Sequence, residues 1–190
     1  MITLDKRLSA VAAMVRPGSR LADIGTDHAY LPVHLVQTGV CPSAIASDIG
    51  AGPLEAARHT VTANGLTSEI ALRLGDGLST VTAEEVEDIA IAGMGGETIA
   101  AILEAAEWVK DSRLRLILQP MTKAEDLRRW LLQNGFSVLE EHLIQDKRHL
   151  YPVLAVAYTA AVPSEDDLLI YGGFFTAEEG RPYRQMMVEH

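Results

Sequence analysis

Residues 23–32, Asp23-Ile24-Gly25-Thr26-Asp27-His28-Ala29-Tyr30-Leu31-Pro32, decide the fold. They close a short apolar run at 20–25 and open a stretch of helical spacing at 28–37. A strand that turns at glycine into a helix is the first unit of a doubly wound sheet. Outward from it the alternation repeats. Strand-length apolar runs lie at 43–48, 69–76, 87–93 and 113–119, and helical stretches at 51–64, 96–109 and 123–133. Several of the runs are apolar throughout, as strands covered on both faces must be. Asn64-Gly65 and Asn134-Gly135 supply helix stops, since either residue tolerates left-handed backbone. Two further runs, 136–144 and 151–158, follow with no helix between them, so one must run antiparallel. Upstream, Leu4, Leu8, Val11, Ala12 and Val15 mark one face of a helix that Pro17-Gly18 ends. The pattern predicts an α/β, Rossmann-like, doubly wound and mostly parallel seven-stranded sheet with an antiparallel C-terminal hairpin strand.

Composition narrows the class. With 190 residues, 48% of them hydrophobic, the chain suffices for one well-packed domain and not for two. Every apolar run is broken within a strand's length, and the amphipathic N-terminus is unlike a signal peptide, so the expectation is a cytoplasmic chain with no membrane segment. The single cysteine, Cys41, excludes an internal disulfide and a multi-cysteine zinc site. The histidines show no metal-ligand spacing, so no metal is expected. The net charge of −10 argues against a broadly basic nucleic-acid surface. Its cations are nevertheless uneven: Lys6 and Arg7; Lys123, Arg128 and Arg129; Lys147, Arg148 and His149. Taken singly, each cluster reads first as a solvated face, though a local basic patch can coexist with an acidic whole.

In such sheets ligands sit beyond the carboxyl ends of the strands. A dinucleotide-binding loop wants G-x-G-x-x-G; here Gly25 is followed by Asp27 and Tyr30 at the second and third glycine places. A carboxylate at Asp27 repels a pyrophosphate, which disfavours NAD. It suits a cationic ligand without phosphate, and S-adenosylmethionine carries both a sulfonium and an ammonium that Asp23 and Asp27 would attract. Asp48, 23 residues after Gly25 and next to Ile49, stands where a ribose ligand is expected, or else caps the following helix. Asp76 and Gly77, in Gly75-Asp76-Gly77, would accept the adenine amino group and admit its ring; a tight turn is the alternative. Acids on three successive strand ends favour the joint reading. Ala92, Gly93, Met94 and Gly95 complete the predicted donor site, with Thr26 in the first loop, and three glycines in four residues signal close backbone approach. Five alternating strands followed by a hairpin are the class I methyltransferase pattern.

The motifs Leu4-Asp5-Lys6-Arg7-Leu8, DIGTDHAYLP (23–32), GDGL (75–78), IAGMGG (91–96) and LILQP (116–120) make the chain similar to the bacterial tRNA adenine-22 N1-methyltransferase family, in order and spacing over about 3–158. The resemblance implies S-adenosylmethionine as donor, S-adenosylhomocysteine as product, and transfer to N1 of an adenine in tRNA. It raises Lys6 and Arg7 as clamps on tRNA phosphates, with Gly96, Arg128 and Arg129 as further RNA contacts. Residues 1–160 would form the methyltransferase domain, and 161–190 the incomplete start of a helical extension. Family members often carry Asn after Gln-Pro where this chain has Met121.

Adenine N1 has a lone pair and no proton, so methylation there needs positioning and charge stabilisation but no general base. Asp27 is the candidate carboxylate, for the reacting base or for the donor's ammonium. Tyr30 would stack on the base or pack beneath the loop; His28 joins it or caps a helix. Gln119 would hydrogen-bond the adenine edge or satisfy backbone at the turn before Pro120. A methyltransferase acting on a small molecule or protein, and a non-catalytic donor-binding module, remain open, with a dehydrogenase well behind because of Asp27.

Overall fold

The computed structural model describes residues 2–146, 149–175, 180 and 183. Seven strands form one sheet in the order β3-β2-β1-β4-β5-β7-β6. They are β1 (Leu21–Ile24), β2 (Ala44–Asp48), β3 (Ile70–Leu74), β4 (Asp88–Gly95), β5 (Arg115–Thr122), β6 (Phe136–Asp146) and β7 (His149–Tyr158). Strands β1 to β5 pair in parallel, while β7 is antiparallel to both β5 and β6. The helices are α1 (Lys6–Met14), α2 (Tyr30–Gln37), α3 (Ala51–Ala63), α4 (Gly96–Glu104), α5 (Ala124–Gln133) and α6 (Asp167–Gly172). The seven-stranded sheet with its antiparallel hairpin strand is the one the sequence predicts.

Period-two alternation explains why the central strands are apolar on both sides. In β5, Leu116 and Leu118 enter the core cluster shared with α4 and α5, and Ile117 enters the one shared with α1, α2 and α3. Ile89 and Ile91 in β4 face the first cluster and Ala90 the second, and β7 divides Leu154 and Val156 from Val153 and Ala155 in the same way. Each fully buried aliphatic side chain contributes roughly 1.5–3 kcal/mol. At the Asn-Gly stops it is the glycines that turn left-handed, Gly65 at φ 70° and Gly135 at φ 79°, while Asn64 and Asn134 cap α3 and α5.

Some boundaries differ from expectation. β4 runs on through Gly93, Met94 and Gly95, pairing irregularly with β5, because the left-handed Gly93 (φ 84°) lets the strand bulge without ending. The stretch predicted as one helix over 96–109 breaks after Glu104 and resumes as a single 3-10 turn, Glu107–Val109. Gly96, expected to touch RNA, is buried instead. A Cβ there would lie 2.0 Å from the Lys123 carbonyl, so this glycine lets the start of α4 pack on the start of α5.

Arg128, also expected on an RNA surface, is fully enclosed. Its Nε and Nη2 donate to Glu141 Oε1 at 3.0 and 2.5 Å, and its Nη1 donates to the Ile170 carbonyl at 3.0 Å. Glu141 Oε2 accepts the Phe174 N–H at 2.7 Å, so one buried ion pair ties the segment after β7 to α5 and β6. Lys147 and Arg148, and residues 176–179, 181, 182 and 184–190 of the predicted helical extension, lie outside the described residues. No helix among the described residues is long and apolar enough to cross a membrane.

Candidate active site

The loop between β1 and α2 is the most strained backbone at the carboxyl end of the sheet. Gly25, Asp27 and Ala29 all have positive φ (74°, 50° and 56°), and two of the three are not glycine. Parallel pairing holds the loop in place: the Gly25 and Thr26 N–H groups both donate to the Ser47 carbonyl of β2, at 2.8 and 3.0 Å. The Thr26 hydroxyl donates to Asp23 Oδ2 at 2.5 Å, and the Asp27 N–H reaches Asp48 Oδ2 at 3.4 Å. Gly25 is favoured by its positive φ, and a Cβ there, 2.2 Å from the Met94 methyl, would make that side chain shift. Aspartate at position 27 fits its place because Asp accepts left-handed backbone better than most residues.

A cleft of about 350 Å³ opens beside this loop, lined by Asp5, Arg7, Leu8, Asp23, Gly25, Thr26, Asp27, His28, Tyr30, Leu31, Ala92 and Gly93. It brings Asp23, Gly25, Thr26, Asp27, Ala92 and Gly93 of the predicted donor site together. Asp48 adjoins it through the Asp27 contact; its Oδ1 accepts the Gly50 N–H at 2.7 Å, and Ile49 beside it is 70% exposed. The Gly75 N–H donates to the Asp48 carbonyl at 3.0 Å, which carries the line of acids on to the next strand end. There Asp76 and Gly77 line a neighbouring cavity of about 460 Å³ together with Thr98, Ile102 and Trp108. Burial pushes the Asp23 carboxyl up to about 6, the Thr26 hydrogen bond opposing this and the negative Asp48 adding to it.

At the mouth of the cleft His28 and Tyr30 stack, ring centroids 5.2 Å apart and 21° from parallel, and Tyr30 is 44% exposed. His28 does not cap α2. The N-cap of α2 is Ala29, with no side-chain cap, and His28 Nδ1 lies 2.8 Å from Asp27 Oδ2.

Of the two readings of Gln119, the structure shows the one in which it satisfies backbone before Pro120 and excludes the adenine contact. It is fully buried and its amide is committed within the chain: Oε1 accepts from Arg7 Nη1 at 2.9 Å and from the Gly93 N–H at 3.1 Å, and Nε2 donates to the Pro120 carbonyl at 2.8 Å. It has no edge left for an adenine. Lys6 is exposed at the start of α1, whereas its neighbour Arg7 is inside the cleft. Arg129 is held by Asp126 Oδ1 and the Tyr171 hydroxyl, both at 2.9 Å, and lines neither cavity. Sequence reasoning missed Asp5 and the inward place of Arg7. Arg7 and Gln119 are 112 residues apart, and no local pattern joins them.

Fold and site together define a class I methyltransferase domain: strand order 3-2-1-4-5-7-6, a glycine turn after β1 and acids on successive strand ends. A family model described as "Methyltransferase domain" matches residues 4–154. The chain is 41% identical over 153 residues to the tRNA (adenine(22)-N(1))-methyltransferase of Bacillus subtilis, covering 80% of this chain and 64% of that enzyme. It therefore spans less than two thirds of that relative's length. The crystal structure of the B. subtilis m1A22 tRNA methyltransferase TrmK superposes with a TM-score of 0.90 at 34% identity, over all of this chain and 83% of that one. Streptococcus pneumoniae Sp1610, solved in complex with S-adenosyl-L-methionine, superposes with a TM-score of 0.87 at 35% identity, over 98% of this chain and 95% of that one. The chain belongs to the bacterial tRNA (adenine-22-N1)-methyltransferase family.

Proposed function

We propose that this chain transfers a methyl group from S-adenosylmethionine to N1 of adenine 22 in tRNA. The observation that carries the donor half is the charge of the cleft. Asp23 and Asp27 flank the glycine turn at Gly25 and both line the cleft, so a ligand there meets two carboxylates. That surroundings suits a cation and penalises a pyrophosphate. The acceptor half is supported by the family and by the stacked rings at the mouth.

When bound, the donor supplies an electrophilic methyl on its sulfonium. The chain's own residues position and screen. Asp48 would hold ribose hydroxyls with the lone pairs left by its Gly50 and Asp27 contacts. Ile49 would cover one face of the adenine ring with exposed apolar surface, and Asp76 would take its amino group. The Tyr30 ring, backed by His28, offers a flat face on which an unstacked nucleobase can rest. The reacting N1 becomes cationic, so a carboxylate nearby stabilises the transition state more than the ground state. Asp27 is that group. It is free of Thr26, exposed, and anchored through its own N–H to Asp48. No residue is asked to remove a proton.

Incubating the protein with labelled S-adenosylmethionine and unmodified tRNA, then analysing the nucleosides by mass, tests the reading. 1-Methyladenosine is expected, and a label in any other nucleoside or in none overturns it.

A further inference from the structure

The third cationic cluster of the sequence, Lys147-Arg148-His149, falls at the junction of β6 and β7, and methyl transfer in the cleft leaves it without a role. That junction is the tip of an arm. Among the described residues β7 pairs with β5 only at Leu154, Ala155 and Val156, whereas it pairs with β6 from His149 to Tyr158. β5 meanwhile runs on to Thr122 against β4. Residues 149–153 of β7 and their β6 partners therefore form a two-stranded extension, about 17 Å long at about 3.4 Å per residue. Because β7 is antiparallel to β5, the arm extends past the carboxyl ends of the parallel strands, where the cleft also opens. Pro152 fits there, since a proline has no N–H to offer a second neighbouring strand.

Period-two alternation puts His149 and Tyr151 on the face of Val153 and Ala155, which belong to the core cluster shared with α1. Ile144, the cross-strand partner of Tyr151, packs against the same cluster. Tyr151 is thus half-buried and held at its base, while His149, on the last rung opposite Asp146, is exposed. Their rings stack, with centroids 6.0 Å apart and planes 21° from parallel. The pair at the mouth of the cleft, His28 and Tyr30, has the same spacing in sequence and the same 21° between planes. Three strand spacings, roughly 14 Å, separate β1 from β7 at this end of the sheet.

We infer that the tip of the β6–β7 arm docks tRNA, the stacked His149 and Tyr151 rings taking a nucleobase other than the adenine that is methylated. This rests on the reading of tRNA as the acceptor. Two near-parallel rings, one anchored and one exposed, are ordered before anything binds, and every nucleobase has a π-face to lay against them. The tip is not the apolar patch that a protein partner would favour. It presents an imidazole and, in sequence, two cations beside it, which suits a polyanion. A base held on the arm fixes the RNA relative to the cleft without touching the reacting atoms, so the contact acts on tRNA binding and not on the chemical step.

The test measures tRNA affinity by filter binding, donor affinity by calorimetry, and both kinetic constants for tRNA at saturating S-adenosylmethionine. His149→Ala and Tyr151→Ala should each weaken tRNA binding and raise the KM for tRNA by about 5- to 150-fold, with kcat and donor affinity held within about twofold. His149→Phe and Tyr151→Phe keep a ring at each place and should retain tRNA affinity within about threefold of native. His149 is exposed, so its two variants decide the matter even where Tyr151→Ala fails to fold. Unchanged tRNA affinity in His149→Ala overturns the assignment and leaves the arm to a protein contact. So does a loss in His149→Phe as large as that in His149→Ala, which marks an imidazole hydrogen bond or charge in place of stacking. A matching loss of donor affinity marks a structural role and overturns it too. Failure of the native chain to bind tRNA at all would instead overturn the acceptor reading itself.

Discussion

Burial pushes the Asp23 carboxyl up to about 6, and the Thr26 hydroxyl, donating to it at 2.5 Å, offsets only part of that rise. The folded chain therefore binds a proton at Asp23 more readily than the unfolded chain does. Stability from this group is greatest below the ordinary aspartate range near 4, and is lost as pH rises through about 6. Above that pH the buried charge costs up to about 3 kcal/mol, at 1.36 kcal/mol per pKa unit. Asp23→Asn keeps an oxygen for Thr26 and removes the charge. It should be more stable than the native chain by about 2–3 kcal/mol at pH 7.5, with the difference closing near pH 4, as read by urea unfolding. Its donor affinity should fall at least about tenfold, and the native affinity should weaken as pH drops through 6. A destabilised Asp23→Asn would contradict this. The places of the acids at successive strand ends were legible because the apolar runs that precede them are short and bounded. Gln119 was not, since its partners Arg7 and Gly93 come from α1 and β4, and sequence does not display which side chains will already be occupied.

Strand and helix identities were legible for a related reason: two-sided burial leaves continuous apolar runs, and glycines mark where the chain turns. Arg128 shows the limit at this scale. Beside Arg129 it reads as surface charge, yet Ala124, Leu127, Arg128 and Leu131 share the buried stripe of α5, a helical spacing that was available in the sequence. What could not be read was the compensating acid, Glu141, on a strand 13 residues away. The pair holds α6 and the residues after it, with Arg128 Nη1 bonded to Ile170 and Glu141 to Phe174. Arg128→Met strands a buried carboxylate and should cost about 3–5 kcal/mol in urea unfolding. Arg128→Met with Glu141→Leu should cost less than that single change, because no charge is left unpaired. Strict additivity of the two substitutions would show that they are not coupled in this way.

For the whole molecule, the net charge of −10 is distributed through local pairs. Arg16 with Asp88, Arg20 with Glu87, Arg73 with Glu85, Arg113 with Asp111 and Arg128 with Glu141 are committed within the chain. Among the described residues, few cations near the cleft remain for phosphates. Binding of tRNA to this chain should therefore fall only shallowly with salt, with a log–log slope of magnitude no more than about 4 in a filter-binding series. A steeper slope would mean that phosphates are contacted by cations beyond those left free among the described residues. The acceptor is the part of the account that sequence carried only through family resemblance, because the cleft's charge explains the donor and leaves the choice of base to stacking and to the shape of the RNA.

Methyl transfer to two tRNA transcripts that differ only at position 22 tests the central claim most directly. The account predicts 1-methyladenosine in the transcript with adenine 22 and no incorporation when that adenine is replaced by guanine. Equal incorporation into both transcripts, or methylation mapping to another nucleotide, would contradict it.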